Sequence, residues 1–337
     1  MILFCCLAWQ WEIRDADLFD PISTRQIAVS SEGAIYIAHY FDKTVLMYDA
    51  KGIRLGNFGR EGSGPGEFQS LSKIKCIEDT IFTVDSNQRR VTKWTLDGQF
   101  IHAVKSPIPY NRPEPVRNGH VLDVFDQERN ERRLVLTDSE MNELAIIAMW
   151  SVSIIGMKDN AYHFNPVNNM GSFFTTPDGR QVIYAPPDRL EIHCFDVGTK
   201  QDKVIYSETV ALIPFDEVWG QEQLQAFKKQ ITSFAVKPRF PDYFPPYSAI
   251  SFAGTGHIYV GYWSAIKDPS SGKFLGLDGT LTQIKADIYK TWMVLWSDDQ
   301  RAIVQYTDND ELVLANIDRK EIASFQAEHT LKFDDEK

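Results

Sequence analysis

The sequence predicts an all-β fold, a β-propeller of six blades, with five blades as the alternative. Three observations lead to this prediction: a unit of short strands recurs along the chain, a glycine-rich loop precedes one copy of it, and a strand-forming segment precedes the first complete copy. Periods of about 40–50 residues with several strands each are typical of propeller blades. One such unit cannot bury both of its faces alone, so neighbouring units must stack.

The clearest unit runs from Phe58 to Ile101. It opens with the loop FGREGSGPGEF, whose glycines and proline allow sharp turns through positive φ but are unsuited to the interior of a helix or strand. The β-branched strand Ile81–Val84 follows, and after a turn comes the alternating strand Val91–Trp94. Residues 96–99 then form a hairpin turn before the next strand begins.

Other copies align with this unit. Ile35–Ala38 matches Ile81–Val84, and the alignment continues without a gap to the glycine of the hairpin turn. A further copy covers residues 249–260, and weaker copies begin near Gly119 and Val182. The repeat therefore extends along most of the chain, as a ring of blades requires.

The segment from Phe58 to Ile101 resembles the NHL-repeat and six-bladed β-propeller (TolB-like) superfamily, in which a loop of the form FGxxGxGPGEF precedes a strand ending in Asp. Residues 245–260 look like a later blade of extracytoplasmic bacterial members. The resemblance is most specific over residues 20–105, and it implies a six-bladed ring outside the cytoplasm. Relatives of this shape include many binding modules and a few lyases and lactonases, so the resemblance does not decide the activity.

The repeat also predicts how the chain is divided. Strand-forming residues within 9–19 would complete the last blade and so remove the open sheet edge. Residues 1–337 then form one propeller domain, and we predict blades at 22–59, 68–105, 114–150, 171–210, 247–306, and 308–333 together with 9–19.

Residues 214–246 interrupt the repeat. Apolar residues at 224, 227, 231 and 234 recur with helical spacing, which predicts a short amphipathic helix. A proline-rich, aromatic segment follows, and it either packs the helix onto a blade or forms a wall of a binding pocket at one face of the ring. The candidate ligand-binding residues in this segment are Arg239, Phe240, Tyr243 and Tyr247.

Further candidates come from aligning the repeats, which puts five residues directly after the second strand of each blade: His39, Asp85, Phe125, Pro186 and Tyr262. Pockets in propellers form where such strand ends meet the channel mouth. Of these residues, His39, Asp85 and Tyr262 are candidate ligand-binding residues. Asp85 also has a structural interpretation, because an Asp after a strand commonly caps the following turn.

A metal site has weak support in the sequence. A lactonase-like relative would imply Ca²⁺ held by carboxylate and amide oxygens, and an amidating-lyase-like relative would imply zinc on three histidines. Only His39 and Asp85 at the aligned positions could bind a metal, with Asp126 and Asp188 close by, and the seven histidines lack HxH or HExxH spacing. We therefore predict no cofactor and no catalytic residues, with Ca²⁺ at the channel mouth as the alternative.

Composition limits the partners. The net charge of −11 and the pI of about 5.2 argue against nucleic acid, whose binding depends mainly on Lys and Arg. The apolar segment 1–9 is too short to span a membrane, and it is either a strand or the remainder of a secretion or lipoprotein signal. Four cysteines without metal-binding spacing predict free thiols.

These observations favour a monomeric, extracytoplasmic protein without a transmembrane segment. We expect a non-catalytic scaffold that binds a protein, peptide or glycan at one face of the ring. The alternative is a metal-dependent hydrolase or lyase with its site at the channel mouth.

Overall fold

Six antiparallel sheets of four strands each form the blades of a six-bladed β-propeller. The computed structural model describes residues 11–13, 26–108, 113–126, 128–152, 156–158, 160–167, 170–231, 235–253, 257–262, 273–282, 292–297, 301–308 and 311–318. The first strands of neighbouring blades contact one another, so the first strand of each blade is the innermost one.

The first three blades follow the chain in order. Blade 1 contains Ile27–Val29, Ile35–His39, Thr44–Tyr48 and Arg54–Phe58. Blade 2 contains Leu71–Ile77, Thr80–Asp85, Arg90–Trp94 and Phe100–Lys105. Blade 3 contains Glu114–Val116, Gly119–Asp126, Glu131–Thr137 and Glu143–Ser151.

The remaining blades complete the ring. Blade 4 contains Ser172–Thr175, Gln181–Ala185, Leu190–Asp196 and Asp202–Glu208. Blade 5 contains Ala249–Ala253, His257–Gly261, Lys273–Leu275 and Leu281–Thr282. Blade 6 contains Trp292–Ser297, Arg301–Asp308 and Glu311–Asp318, and its fourth strand is Trp11–Ile13.

The ring closes through this amino-terminal strand, as the sequence predicts. Trp11–Ile13 pairs antiparallel with Glu311–Asp318, and Ile13 lies opposite Leu314. Ile13 is buried against blade 1 in a cluster that includes Ile35. Pairing the two ends of the chain in one sheet removes an open edge.

The predicted boundaries of the last two blades need correction. The repeat predicts one blade at 247–306 and another at 308–333 with 9–19, but the strands Trp292–Ser297, Arg301–Asp308 and Glu311–Asp318 share a single sheet with Trp11–Ile13. The strands Lys273–Leu275 and Leu281–Thr282 complete blade 5. Both strands are so short that their sequence predicts an insertion and not two strands of a blade. Residues 14–19 and 319–333 lie outside the described residues.

Apolar clusters between blades stabilise the ring. Blades 1 and 2 share a cluster in which Trp94 contacts Phe58 and Phe68, with ring centroids 4.7 and 5.8 Å apart. Similar clusters join blades 2 and 3, 3 and 4, 4 and 5, and 6 and 1. Each blade thus buries its faces against its neighbours rather than in a core of its own.

The glycine-rich loop connects blades 1 and 2. Gly59 has φ of +77°, and a Cβ atom there would lie 2.3 Å from the Phe68 ring. Glu67 fastens the loop, since it accepts a hydrogen bond from Gly64 N at 2.8 Å and pairs with Arg60 at 2.8 Å. This bond from the Gly64 amide, followed by that from Arg60, lowers the pKa of Glu67. The motif is therefore a structural connection between blades.

The antiparallel strand order gives the ring two distinct faces. One face carries the connections between blades and the turns between second and third strands, and we call it the crossing face. The other carries the turns between first and second and between third and fourth strands, and we call it the hairpin face. Both faces hold candidate sites.

Candidate functional site

His39 and Asp85 end the second strands of blades 1 and 2, as the repeat predicts. Asp85 is 1% exposed, and its carboxylate accepts hydrogen bonds from Gln69 N, Gln88 N and Gln88 Nε2 at 2.7–2.9 Å. His39 is also buried, and its Nδ1 accepts a bond from Asp42 N at 3.2 Å. Both side chains hold turns of the crossing face, so their contacts match the structural interpretation of Asp85.

Tyr262 belongs to a polar network between blades 4 and 5. Its hydroxyl donates to Glu208 at 2.6 Å, Tyr206 donates to the same carboxylate at 2.6 Å, and Lys273 pairs with it at 2.7 Å. Burial alone would raise the pKa of Glu208, but the bonds from Lys273, Tyr206 and Tyr262 outweigh it and lower the pKa to about 2. The Tyr262 hydroxyl therefore takes part in a contact between blades 4 and 5.

The two other acidic candidates, Asp126 and Asp188, have separate structural contacts. Asp126 accepts hydrogen bonds from Glu128 N and Arg129 N, which close a turn. Asp188 pairs with Arg189 at 3.1 Å on the surface. Within the part of the chain that the structure describes, no three His, Cys, Asp or Glu residues gather in a metal-binding arrangement.

Two lysines of the innermost strand of blade 2 lie in the central channel. Lys75 reaches across to blade 4, where it donates to Thr175 Oγ1, to Thr175 O at 3.2 Å and to Thr176 O at 3.3 Å. Lys73 pairs with Glu114 of blade 3. Burial lowers the pKa of Lys75 to about 8, although Glu114 opposes this shift. These side chains cross-brace the channel.

Two long connections build a cap on the crossing face. The connection from blade 3 to blade 4 contributes Gly156–Lys158 and Ala161–Phe164, and the one from blade 4 to blade 5 contributes Ala235–Pro238, which pairs parallel with Ala161–Phe164. The helix Glu217–Gln230 also lies in this second connection.

The helix begins after Asp216, whose carboxylate accepts a hydrogen bond from Trp219 N at 3.0 Å. This is the usual arrangement of an N-cap residue. Leu224 is buried and Phe227 stacks on Phe164 with ring centroids 4.7 Å apart, as the helical spacing predicts. Phe234, the last predicted apolar position, lies outside the described residues.

An aromatic cluster gives the cap a packed interior. Phe215 contacts Phe240, Phe244 and Trp219, with ring centroids 5.3, 5.1 and 6.1 Å apart. Gly220 is required there, because a Cβ atom on it would lie 2.7 Å from the Phe215 ring. Phe240 is thus mainly a packing residue.

Four apolar side chains of this cap are exposed. Leu212, Ile213, Val218 and Tyr243 are 65, 39, 72 and 48% exposed, and we call these four residues the cap patch. Backbone pairing joins the segments that carry Ile213 and Tyr243, since Phe244 N donates to Ile213 O at 2.9 Å and Phe215 N donates to Asp242 O at 3.0 Å. Exposed apolar residues grouped in this way commonly mark interaction surfaces.

Of the other two candidates in this segment, Arg239 is exposed and Tyr247 is not. Arg239 Nε donates to His163 Nδ1 at 3.2 Å, which fastens the cap to its own sheet. Tyr247 is 0% exposed, and its hydroxyl lies 3.0 Å from Ala185 O and 2.9 Å from Pro186 O. Its assignment as a ligand-binding residue is corrected, because the ring is enclosed between blades 4 and 5.

The hairpin face contains a cleft of about 400 Å³ between blades 2, 3 and 4, which no motif in the sequence indicates. Turns from different blades form it, so its residues are far apart in sequence. Its charged lining residues are Glu78, Arg117, Arg180, Asp196 and Lys200.

Comparisons with known proteins agree with this architecture. A family model described as "6-bladed beta-propeller" matches residues 15–206. A search of curated proteins finds no match. In the part of the chain that the structure describes, the helix is neither long nor apolar enough to cross a membrane.

Solved structures of similar shape have low sequence identity to this chain. A protein from Bacteroides fragilis, described as exported, is 14% identical with a TM-score of 0.53, over 87% of this chain and 90% of that one. A member of the DUF4221 family from Bacteroides vulgatus is 11% identical with a TM-score of 0.48, over 88% of this chain and 93% of that one. Virginiamycin B lyase from Staphylococcus aureus is 10% identical with a TM-score of 0.43, over 89 and 86%.

Proposed function

This chain belongs to the 6-bladed beta-propeller family, and from that membership we propose that it is a non-catalytic scaffold that binds a protein or peptide ligand at the crossing face. One observation carries this proposal, namely the exposed cap patch on a packed aromatic cluster. A rigid apolar surface binds with little loss of conformational freedom, which favours affinity.

The chemistry of the cap patch favours a polypeptide over a glycan. Three of its four side chains are aliphatic, and aliphatic surface is matched by apolar side chains of a partner. Of the candidates that the sequence predicts, Tyr243 belongs to the patch and Arg239 is exposed in the same segment, and both would contact the ligand. His39, Asp85 and Tyr262 would act indirectly, by holding the crossing face in shape.

Selection from a phage library of short random peptides tests the proposal. We expect peptides with apolar side chains to be enriched and then to lose binding to the Leu212→Asp variant. Leu281→Asp is the matched control, because Leu281 is 64% exposed on an outer strand of blade 5. Equal binding to both variants, or enrichment on a glycan array with none from peptides, would overturn the proposal.

The alternative of a metal-dependent hydrolase or lyase makes a different prediction. A Ca²⁺ site at the channel mouth would raise the thermal stability of the protein, and EDTA would then lower it. We expect unchanged melting after EDTA treatment and dialysis. A reproducible decrease that added Ca²⁺ reverses would favour the alternative.

We also propose an extracytoplasmic, monomeric protein. The likeness in shape to a protein described as exported supports the location. Fractionation of the source cells would test it, and recovery in the cytoplasm would contradict it. Light scattering after size-exclusion chromatography would test the monomer.

A further inference from the structure

The cleft on the hairpin face is a site of its own, on the side of the ring opposite the cap. Turns between the first and second strands of blades 2, 3 and 4 supply Glu78, Arg117 and Arg180. The turn between the third and fourth strands of blade 4 supplies Asp196 and Lys200. Its volume of about 400 Å³ suits a small molecule or a few residues of a peptide.

The acidic lining residues are already bonded. Glu78 pairs with Arg117 at 2.8 Å. Asp196 accepts hydrogen bonds from Thr199 N at 2.7 Å and Thr199 Oγ1 at 3.0 Å, and these bonds lower its pKa. Both carboxylates are therefore committed to the walls of the cleft and have limited capacity to bind a cation.

Two cationic lining residues remain available. Arg180 is 61% exposed in its side chain, its Nε lies 3.4 Å from Asp178, and its charge is among the causes that lower the pKa of Asp196. Among the described residues, no carboxylate pairs with the Lys200 ammonium. An arginine and a lysine on two turns of blade 4 suit an anionic oxygen group, which the planar guanidinium binds with two hydrogen bonds.

The cleft also has an apolar wall. Leu144 is 48% exposed, and behind it Leu136 and Val197 are 2 and 8% exposed and belong to the buried cluster between blades 3 and 4. Asn118 adds an amide that can donate or accept a hydrogen bond. A ligand that fits both the cationic and the apolar lining of the cleft carries an apolar group next to a carboxylate.

The walls are held in place before any ligand arrives. Arg117 N donates to Gly179 O at 2.9 Å, which joins the turns of blades 3 and 4. Val197 N donates to Arg180 O at 2.9 Å within blade 4. Such preorganisation reduces the entropy lost on binding.

We propose that this cleft binds an amphipathic carboxylate, such as an acidic residue beside an apolar one in a short peptide. Arg180 and Lys200 would bind the carboxylate, and Leu144 would contact the apolar group. The site goes beyond the proposed function of the cap, since it lies on the other face and would take a charged ligand.

Titration calorimetry with N-acetyl-leucyl-glutamate tests the site, with the uncharged N-acetyl-leucyl-glutamine amide as its counterpart. We expect the charged peptide to bind wild-type protein with a Kd on the order of 1 mM, and the neutral one at least about fivefold more weakly. Raising the salt from about 50 to about 300 mM should weaken the charged peptide further, because salt screens exposed charges.

The double variant Arg180→Gln/Lys200→Gln should bind the charged peptide at least about fivefold more weakly than wild type, as expected for the loss of two charged partners. Lys51→Gln/Lys229→Gln is the matched control, because it removes the same net charge at exposed positions outside the cleft. Equal affinity of the two double variants would overturn the proposal, as would equal affinity for the two peptides or failure of wild type to bind. Inorganic phosphate binding as tightly as the charged peptide would overturn the amphipathic class.

Discussion

Lys75 of blade 2 and Thr175 of blade 4 contact each other across the central channel, with the lysine ammonium 3.2 Å from the threonine carbonyl oxygen. These blades are not neighbours in the ring. The contact therefore links two blades that are separated by blade 3.

Lys75 should make stability depend on pH. Its pKa is about 8 in the folded protein, lowered by burial, against 10.5 as its ordinary value. Between about pH 8 and 10.5 the unfolded chain holds more protons at this lysine, so the contribution of Lys75 to the free energy of unfolding should rise with pH, whereas Cys76, whose pKa is raised to about 12 by burial, contributes the opposite trend. Urea unfolding across this range should therefore show a more positive slope of unfolding free energy against pH in wild type and in the surface variant Lys51→Met than in Lys75→Met. An equal slope in Lys75→Met would contradict the assignment.

The interblade network around Glu208 should lose its stabilising contribution at acid pH. Its folded pKa of about 2 lies below the ordinary value of 4.5, so its contribution is complete above pH 4.5 and is lost as the pH falls towards 2. We expect Glu208→Gln to lose about 1 kcal/mol at neutral pH, after allowance for solvent screening. That difference from wild type should vanish near pH 2. An exposed control, Glu128→Gln, should show no such trend in urea unfolding, and a trend of equal size there would count against the network.

A side chain at position 59 should lower the free energy of unfolding. Its positive φ and the Phe68 ring 2.3 Å from an added Cβ atom predict that Gly59→Ala loses about 1–3 kcal/mol of unfolding free energy. Gly198→Ala is the control, because the nearest atom would be 3.5 Å away and no positive φ is involved. Chemical denaturation gives the free energy of unfolding of both variants. Equal values for the two would contradict the requirement for glycine at position 59.

Ile13 should show how strongly the amino-terminal strand closes the ring. It is 4% exposed among residues of blades 6 and 1, so Ile13→Ala should lose about 2–4 kcal/mol. Ile53 is 59% exposed directly before the outer strand of blade 1, and Ile53→Ala should stay within about 0.5 kcal/mol of wild type. Equal losses in the two variants would mean that the strand does not seal the ring.

The ring was predictable because its signal is local and repeated. The strand Ile81–Val84 and its copy Ile35–Ala38 recur with turns at matching positions, and burial of both faces follows from stacking. The division between blades 5 and 6 was not predictable, because Leu281–Thr282 is too short to show alternation. A strand of this length depends on its partner for its conformation.

The sites were harder to predict because they combine distant residues. Arg117 and Lys200 line the same cleft only after blades 3 and 4 have packed together, and nothing in either segment indicates the other. Lys75 did leave a signal, since a lysine within the apolar strand Leu71–Ile77 of the innermost position must find oxygen partners. Tyr247 misled because an aromatic residue in a proline-rich segment looks exposed in sequence, whereas it is buried between blades.

Hydrogen–deuterium exchange with a peptide selected on the cap tests the central claim most directly. Binding at the cap patch predicts slower exchange confined to residues 212–219 and 240–244, with Leu281 and the hairpin face unchanged. The same peptide should leave exchange in the Leu212→Asp variant unaltered. Protection centred on the outer strands or on the hairpin face, with none at the cap, would contradict the account.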